Sequence, residues 1–236
     1  MLVLAIETAT EQASLVLADK DREIAGWRDV THQDLCRRLA AETSQVLTRA
    51  GRRFADVKLI AVGLGPGSFT SVRVGLATAK GFAFALGRPL VGVSSLAAMA
   101  WQVRGSISGL VCPVTDARRD EVYTALYRLK GKAIVSLWEA SVARPAQLAQ
   151  RLSSVEEPVT LVGQVDRLSL DEVVGRLGER AQIRSGEVVL PDALAVAQLG
   201  RRRYAEQGGD EIGPLRPIYV RVSYAEESAH LDLGLR

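Results

Sequence analysis

The 236-residue sequence predicts a duplicated α/β fold of two lobes. Three observations carry the prediction. The order three strands, helix, strand, helix is written twice along the chain. A tryptophan, Trp27 in one half and Trp138 in the other, stands in the third strand of each. An apolar fraction of 47% supplies enough hydrophobic residues for a substantial core.

LVLAIE (2–7), ASLVLAD (13–19) and EIAGWRD (23–29) alternate or run apolar over strand lengths, with TATEQ and KDR between them as turns. From His32 to Ala50, the residues Leu35, Cys36, Leu39, Ala40, Val46, Leu47 and Ala50 recur with helical period, and Gly51 follows as a stop. KLIAVGLG (58–65) reads as a buried strand, and GPGSFTSVRVGLATAKGFAFALG carries the chain through a tight turn into a helix. PLVGVSS (89–95) is a second apolar strand and SLAAMAWQV (95–103) a further helix. RGSISG (104–109) marks the boundary, which divides the chain into a first lobe over 1–104, a second over 105–210 and an irregular tail over 211–236, poorly anchored from Pro214 onward.

LVCPVTDA, EVYTALYRLK and AIVSLWEA then give three more strands, with KGK as a hairpin turn. PAQLAQRL is a short helix with proline in its first turn. PVTLVG is a strand, SLDEVVGRLGE a helix, and PDALAVAQLGRRRYAEQG a longer helix, expected to pack back on the first lobe. This order is that of the actin, hexokinase and Hsp70 architecture (the actin-like ASKHA, or ribonuclease H-like, fold), with a cleft between the lobes.

The net charge of +3 is mild, whereas a nucleic-acid binder more often concentrates a larger basic surplus on one face. Cys36 and Cys112 are too few for a disulfide framework or a cysteine zinc site and read as buried thiols. MLVLAIE lacks a basic leader, and no stretch approaches the roughly 20 apolar residues of a membrane helix, so a cytoplasmic location without membrane contact is expected.

Gly65, Gly67 and Ser68 of the GPGS turn let the backbone approach an anion at a helix N-terminus, with Ser68 as N-cap. Against a phosphate loop, no lysine follows Gly67, and Ser68 stands where a Rossmann turn needs its third glycine. A tight strand-to-helix turn explains the same residues. The helix beyond is more informative. Phe69, Val72, Val74, Leu76, Phe82, Phe84 and Leu86 spread around its circumference, while Arg73 and Lys80 share one narrow face. Ser71, Gly75, Ala79 and Ala83 form a small-residue row that permits close backbone approach. Such a helix is either covered entirely by its own chain or completed by another protein molecule.

Catalytic residue types are scarce. His32 and His230 are the only histidines, so a two-histidine metal site is not expected, and neither is a nucleophile elbow. Glu7 closes the first strand and Asp116 holds the matching place in the second half, within DARRDEVY. The two carboxylates could face the cleft and serve a phosphotransfer site, or Asp116 could pair with Arg118 or Arg119 and fix the lobes. No cofactor is expected.

LAIETATEQASLVL, the helix from His32, GLGPGSFTSVRVGLATAKGFA, DARRDEVY and the late PIYVR occur in one order that resembles the TsaB (YeaZ) family, accessory subunits of bacterial tRNA threonylcarbamoyladenosine (t6A) synthesis. The resemblance covers nearly the whole chain and is strongest over 1–128. It implies an actin-like fold without catalysis of its own, paired with TsaD. TsaD is the paralogue that moves a threonylcarbamoyl group to N6 of the adenosine beside the tRNA anticodon and uses a histidine-bound metal. It implies further that an ATPase subunit, TsaE, joins the pair, that tRNA is met only indirectly, and that the pairing surface forms homodimers when TsaD is absent. Carried over by position, that surface falls on His32, Cys36 and Leu39 of one helix and on Val72, Arg73, Gly75, Leu76, Ala79, Lys80 and Ala83 of the next. The family commonly has aspartate where Glu7 stands and Gly-Leu where Ser71-Val72 stand.

The expected function is a scaffold that binds and activates TsaD. The alternative is an actin-fold ATPase or phosphotransferase using Glu7 and Asp116. A peptidase lacks a nucleophile–base pair, and direct tRNA binding would rest on the basic run Arg201-Arg202-Arg203.

Overall fold

A computed structural model describes residues 1–30, 34–131, 133–168, 170–184 and 189–220. The first sheet comprises β1 (Leu2–Glu7), β2 (Ala13–Asp19), β3 (Arg22–Asp29), β4 (Leu59–Gly63) and β5 (Leu90–Val93), in the order β3-β2-β1-β4-β5. The second comprises β6 (Gly109–Asp116), β7 (Val122–Lys130), β8 (Ala133–Ala143), β9 (Val159–Gly163) and β10 (Ala181–Ile183), in the order β10-β9-β6-β7-β8. In each sheet the first three strands form an antiparallel meander, and the other two add in parallel beside the first. The two halves therefore match strand for strand. β10, only three residues long, was not expected from the sequence: AQI is too short to display a period.

The central strand of the first sheet is apolar along its whole length because both faces are covered. Leu4 and Ile6 enter one hydrophobic cluster, while Val3 and Ala5 enter another on the opposite face. α1 (Leu35–Arg49) and α2 (Phe69–Leu86) cover the Leu4 side, and α4 (Pro145–Ser153) and α5 (Asp171–Leu177) cover the corresponding side of the second sheet. The remaining two helices cross over. α3 (Ser95–Gln102) lies on β6 and β7, and α6 (Ala193–Gln207) lies on β1, β2 and β4 of the first sheet.

Side chains repeat with the strands. Arg38 of α1 stands 5.2 Å from the Trp27 ring, and Arg151 of α4 stands 4.1 Å from the Trp138 ring. At the start of α6, Asp192 accepts from the Leu194 N–H at 2.8 Å as N-cap and from Arg28 Nε at 2.7 Å, which ties the helix to β3.

Two expectations need correction. α1 starts at Leu35, and His32 lies outside the described residues. The tail is also anchored further than its irregular sequence suggests. The Ile218 N–H donates to the Leu64 carbonyl at 2.8 Å, and Ile212, Leu215 and Ile218 pack against the first lobe's core. Among the described residues, no helix is long and apolar enough to cross a membrane.

Candidate functional site

The carboxylate at the end of β1 faces inward. Glu7 is fully buried; its Oε1 accepts from the Ala9 N–H and its Oε2 from Ser95 Oγ, both at 2.7 Å. Ser95 Oγ in turn accepts from the Gly65 N–H at 3.1 Å. Burial pushes the carboxyl above its ordinary range, against the pull of these hydrogen bonds. Glu7 thus joins β1, the Gly-Pro-Gly turn and the first turn of α3, and it does not line the interlobe cleft. Its expected role as a phosphate or metal contact gives way to a structural one.

The turn itself is held by close contact. A Cβ on Gly67 would lie 2.1 Å from the Ala9 carbonyl oxygen, so only glycine fits there. The Ser68 N–H donates to that same oxygen at 2.7 Å. Ser68 takes the N-cap position of α2 without capping it through its side chain; its hydroxyl lies 3.0 Å from that of Ser71.

α2 is covered on three sides by its own chain. The row Ser71, Gly75, Ala79 and Ala83, together with Val72 and Leu76, is buried. A Cβ on Gly75 would meet Thr8 Oγ1 at 2.3 Å, and that hydroxyl donates to the Ser71 carbonyl at 2.8 Å. The close approach that this row permits is therefore to β1 of the same lobe, not to another molecule. α1 covers a second side, where Leu39 is fully buried. Segment 213–219 lies along the third, with Lys80 Nζ donating to the Gly213 carbonyl at 3.0 Å and Arg73 Nε to the Tyr219 hydroxyl at 2.8 Å. As partner contacts, Leu39, Val72, Gly75, Leu76, Ala79 and Ala83 are corrected. Cys36 is corrected as a buried thiol, since it is exposed on α1. Cys112 is buried, and burial pushes its thiol up to about 11.

Across the cleft, Asp116 receives the Arg118 N–H at 2.7 Å and pairs with the Arg118 guanidinium at 3.2 Å. That pair closes a turn within the second lobe. Beside the cleft, an ion pair of Glu11 with Arg167 spans the lobes. Arg118, Arg119 and Asp120 all adopt left-handed backbone, with φ of 65, 56 and 57°. The basic run on α6 is occupied. Arg201 pairs with Asp21 at 2.7 Å, Arg203 with Asp210 at 2.5 Å, and Arg202 stands 5.1 Å from the Trp101 ring. Among the described residues, no group of His, Cys, Asp or Glu could hold a metal ion.

A family model for TsaD, tRNA N6-adenosine threonylcarbamoyltransferase, matches residues 29–166. The tRNA threonylcarbamoyladenosine biosynthesis protein TsaB of Escherichia coli K12 is 32% identical, covering 95% of this chain and 96% of that protein. This chain belongs to the TsaB (YeaZ) family. YeaZ from Pseudomonas aeruginosa superposes with a TM-score of 0.76 at 29% identity, over 92% of this chain and 99% of its own. A ROK family glucokinase from Streptomyces griseus reaches a TM-score of 0.53 at 12% identity, over 86% of this chain and 100% of its own. The latter likeness speaks for the actin-like fold alone.

What sequence reading missed in this TsaB-family chain is the outer face of its helix pair. Phe84 is 84% exposed and Phe69 45%, and Ala77, Gly81 and Ala85 are exposed beside them. On α1, Cys36, Ala40, Ala41, Ser44 and Thr48 are exposed. The signal was present in the sequence: Ala77, Gly81 and Ala85 form a second small-residue row at i, i+4 spacing, two positions out of phase with the buried one.

Proposed function

We propose that the chain is a non-catalytic scaffold that pairs through the outer face of α1 and α2 with a TsaD-like transferase and activates it for t6A formation on tRNA. The observation that carries the reading is the exposure of Phe84 above a row of alanine and glycine. Burying a phenylalanine is worth about 1.5–3 kcal/mol, and small neighbours let another backbone come close. Arg73, at the edge of this face, is the residue of the expected α2 surface that is exposed, with its Nε held by the Tyr219 hydroxyl. The same face would pair two copies of this chain when no transferase is present, and a TsaE-like ATPase would join the assembled pair. The phosphotransferase alternative is weakened because Glu7 is sealed away from the cleft and Asp116 is engaged by Arg118.

The test is reconstitution. The purified chain is titrated into TsaD, and t6A formation on tRNA is followed with TsaE and the threonylcarbamoyl donor present. Stimulation that saturates near one chain per TsaD supports the scaffold; equal rates with and without the chain reject it.

A further inference from the structure

We propose that the outer face of α1 and α2 is matched to a protein partner with carboxylates around an apolar spot, and that its own charge opposes pairing between two copies of this chain. This rests on the pairing proposed above and specifies the chemistry of the partner's side.

The face has an apolar centre and a basic surround. Phe84, 84% exposed, stands at the centre with Ala77, Gly81 and Ala85. Residues 34–56 and 69–88, which build the helix pair and its ends, carry eight arginines and lysines against three carboxylates. That surplus of five exceeds the whole chain's +3, so the rest of the molecule is net negative. The mild total conceals a concentrated patch. The corresponding helices of the second lobe show no such bias. α4 and α5 carry two cations, Arg151 and Arg176, and two carboxylates, Asp171 and Glu172. α1 and α2 carry five cations and one carboxylate, Glu42.

The surplus is held in place without being cancelled. Arg49 donates to the Gly26 carbonyl at 3.1 Å and Arg88 to the Ala55 carbonyl at 3.2 Å. Lys80 and Arg73 likewise rest on neutral oxygens, of Gly213 and Tyr219. Burial, and then the charge of Arg216, holds the Lys80 ammonium below its usual value, so the tail adds a further cation to this flank. The carboxylates Asp34, Glu42 and Asp56 sit 3.9, 4.0 and 3.9 Å from Arg37, Arg38 and Arg53, as loose pairs of little strength. Arg38 also pairs with Asp29.

An apolar core inside a polar rim is the anatomy of a protein interface. A phosphate backbone would leave Phe84 and its small neighbours unburied, so a protein fits the face better than RNA. Complementary charge steers the encounter and selects the partner. A twofold pair of this chain would set the same basic face against itself, where like charges repel. The two kinds of pairing should therefore answer salt in opposite ways, since salt screens attraction in one and repulsion in the other.

Stopped-flow association with TsaD and analytical ultracentrifugation of the chain alone, each from about 50 to about 500 mM NaCl, test this. The association rate with TsaD should fall at least about tenfold over that range, while self-association should tighten. Arg37→Glu/Arg53→Glu reverses two side chains that are 86% and 85% exposed and cuts the surplus from five to one. This double variant should keep the wild-type thermal midpoint. At low salt it should associate with TsaD about tenfold more slowly and self-associate more tightly than wild type. Lys130→Glu/Arg176→Glu makes the same change in total charge at exposed sites of the second lobe, and should leave both within about twofold. TsaD binding that is indifferent to salt, or an equal loss in both double variants, overturns the inference and leaves the scaffold standing. So does self-association that weakens as salt rises. Binding of bare tRNA that Arg37→Glu/Arg53→Glu abolishes, with TsaD association unchanged, would make the face an RNA surface and overturn the inference as well. No binding to TsaD at any salt rejects the pairing itself, and the inference with it.

Discussion

The two lobes share one topology and differ in the outer surface of their helix pairs. In the first lobe, α2 runs for 18 residues, and from Val74 onward its exposed positions, Ala77, Gly81, Phe84 and Ala85, are small or apolar. In the second, α5 runs for 7 residues, and Asp171, Glu172 and Arg176 are exposed around Val174. Both pairs seal their sheets equally well, with Val62 beneath α2 and Val173 of α5 buried completely. Covering a sheet therefore does not require the apolar outer face of α2. The duplicated second lobe serves as an internal control, in which the helix layer has kept the packing role and carries charge toward water. The difference supports the proposal that the first lobe's layer has a second task.

The largest effect separates the two sides of α2 itself. Ala79 is fully buried against its own lobe. Ala79→Glu should therefore unfold the first lobe, since an unpaired buried charge costs several kcal/mol. Loss of the cooperative thermal transition followed by circular dichroism is the expected result; a folded Ala79→Glu chain would mean that this side of α2 is not sealed as described. Gly81→Glu places the same charge two positions on, where a built Cβ meets nothing within 4 Å. Here the fold should survive and gain up to about 1 kcal/mol of helix propensity. Pairing with TsaD, or between two copies, should weaken at least tenfold, about 1.4 kcal/mol. Light scattering and a TsaD titration read the loss. Unchanged assembly would reject the outer face as the interface.

These opposite outcomes at neighbouring residues also explain what the sequence could and could not reveal. The succession of strands and helices along the chain was legible because β1, β4, β6 and β9 are buried on both faces and so read as apolar runs bounded by turns. The apolar circumference of α2 was equally legible. Which side met which neighbour was not, because two small-residue rows share the helix, Ser71-Gly75-Ala79-Ala83 and Ala77-Gly81-Ala85, and only the positions of β1 and α1 tell them apart. The role of Glu7 was hidden for a similar reason. Its partner Ser95 is 88 residues away, and only the crossing of α3 brings them together. The anchoring of Ile218 depends on the Leu64 carbonyl, which no local pattern announces.

Glu7 and Asp116 extend the comparison to the strand ends. The first is fully buried; the side chain of the second is 37% exposed and lines the cleft. Because burial raises the Glu7 carboxyl above 4.5, the folded chain retains a proton that the unfolded chain has released. Stability from this group is therefore greatest below 4.5, falls as pH rises from there through the folded value, and is fully lost above it. Glu7→Gln, which stays neutral, should lack this component. Denaturant unfolding from about pH 4 to about pH 8 should show the difference between wild type and Glu7→Gln moving against the wild type as pH increases. A difference that is constant with pH would mean that burial does not shift this carboxyl.

The smallest effect belongs to the control lobe. Val174 is the exposed large hydrophobic residue of α5, 36% exposed among charged neighbours. Val174→Glu should change stability by no more than about 0.5 kcal/mol, the usual range for a surface position. Assembly with TsaD should stay as it was. This near-silence matters because it shares the chemistry of Gly81→Glu: both place a glutamate on an outer helix face, at topologically equivalent layers of the two lobes. If Val174→Glu also broke assembly, a general charge effect or a contact through both lobes would replace the asymmetry drawn above. If only Gly81→Glu does, the loss is local to the first lobe's helix pair, and its apolar outer face is the part of the duplicated fold that has been turned toward a partner.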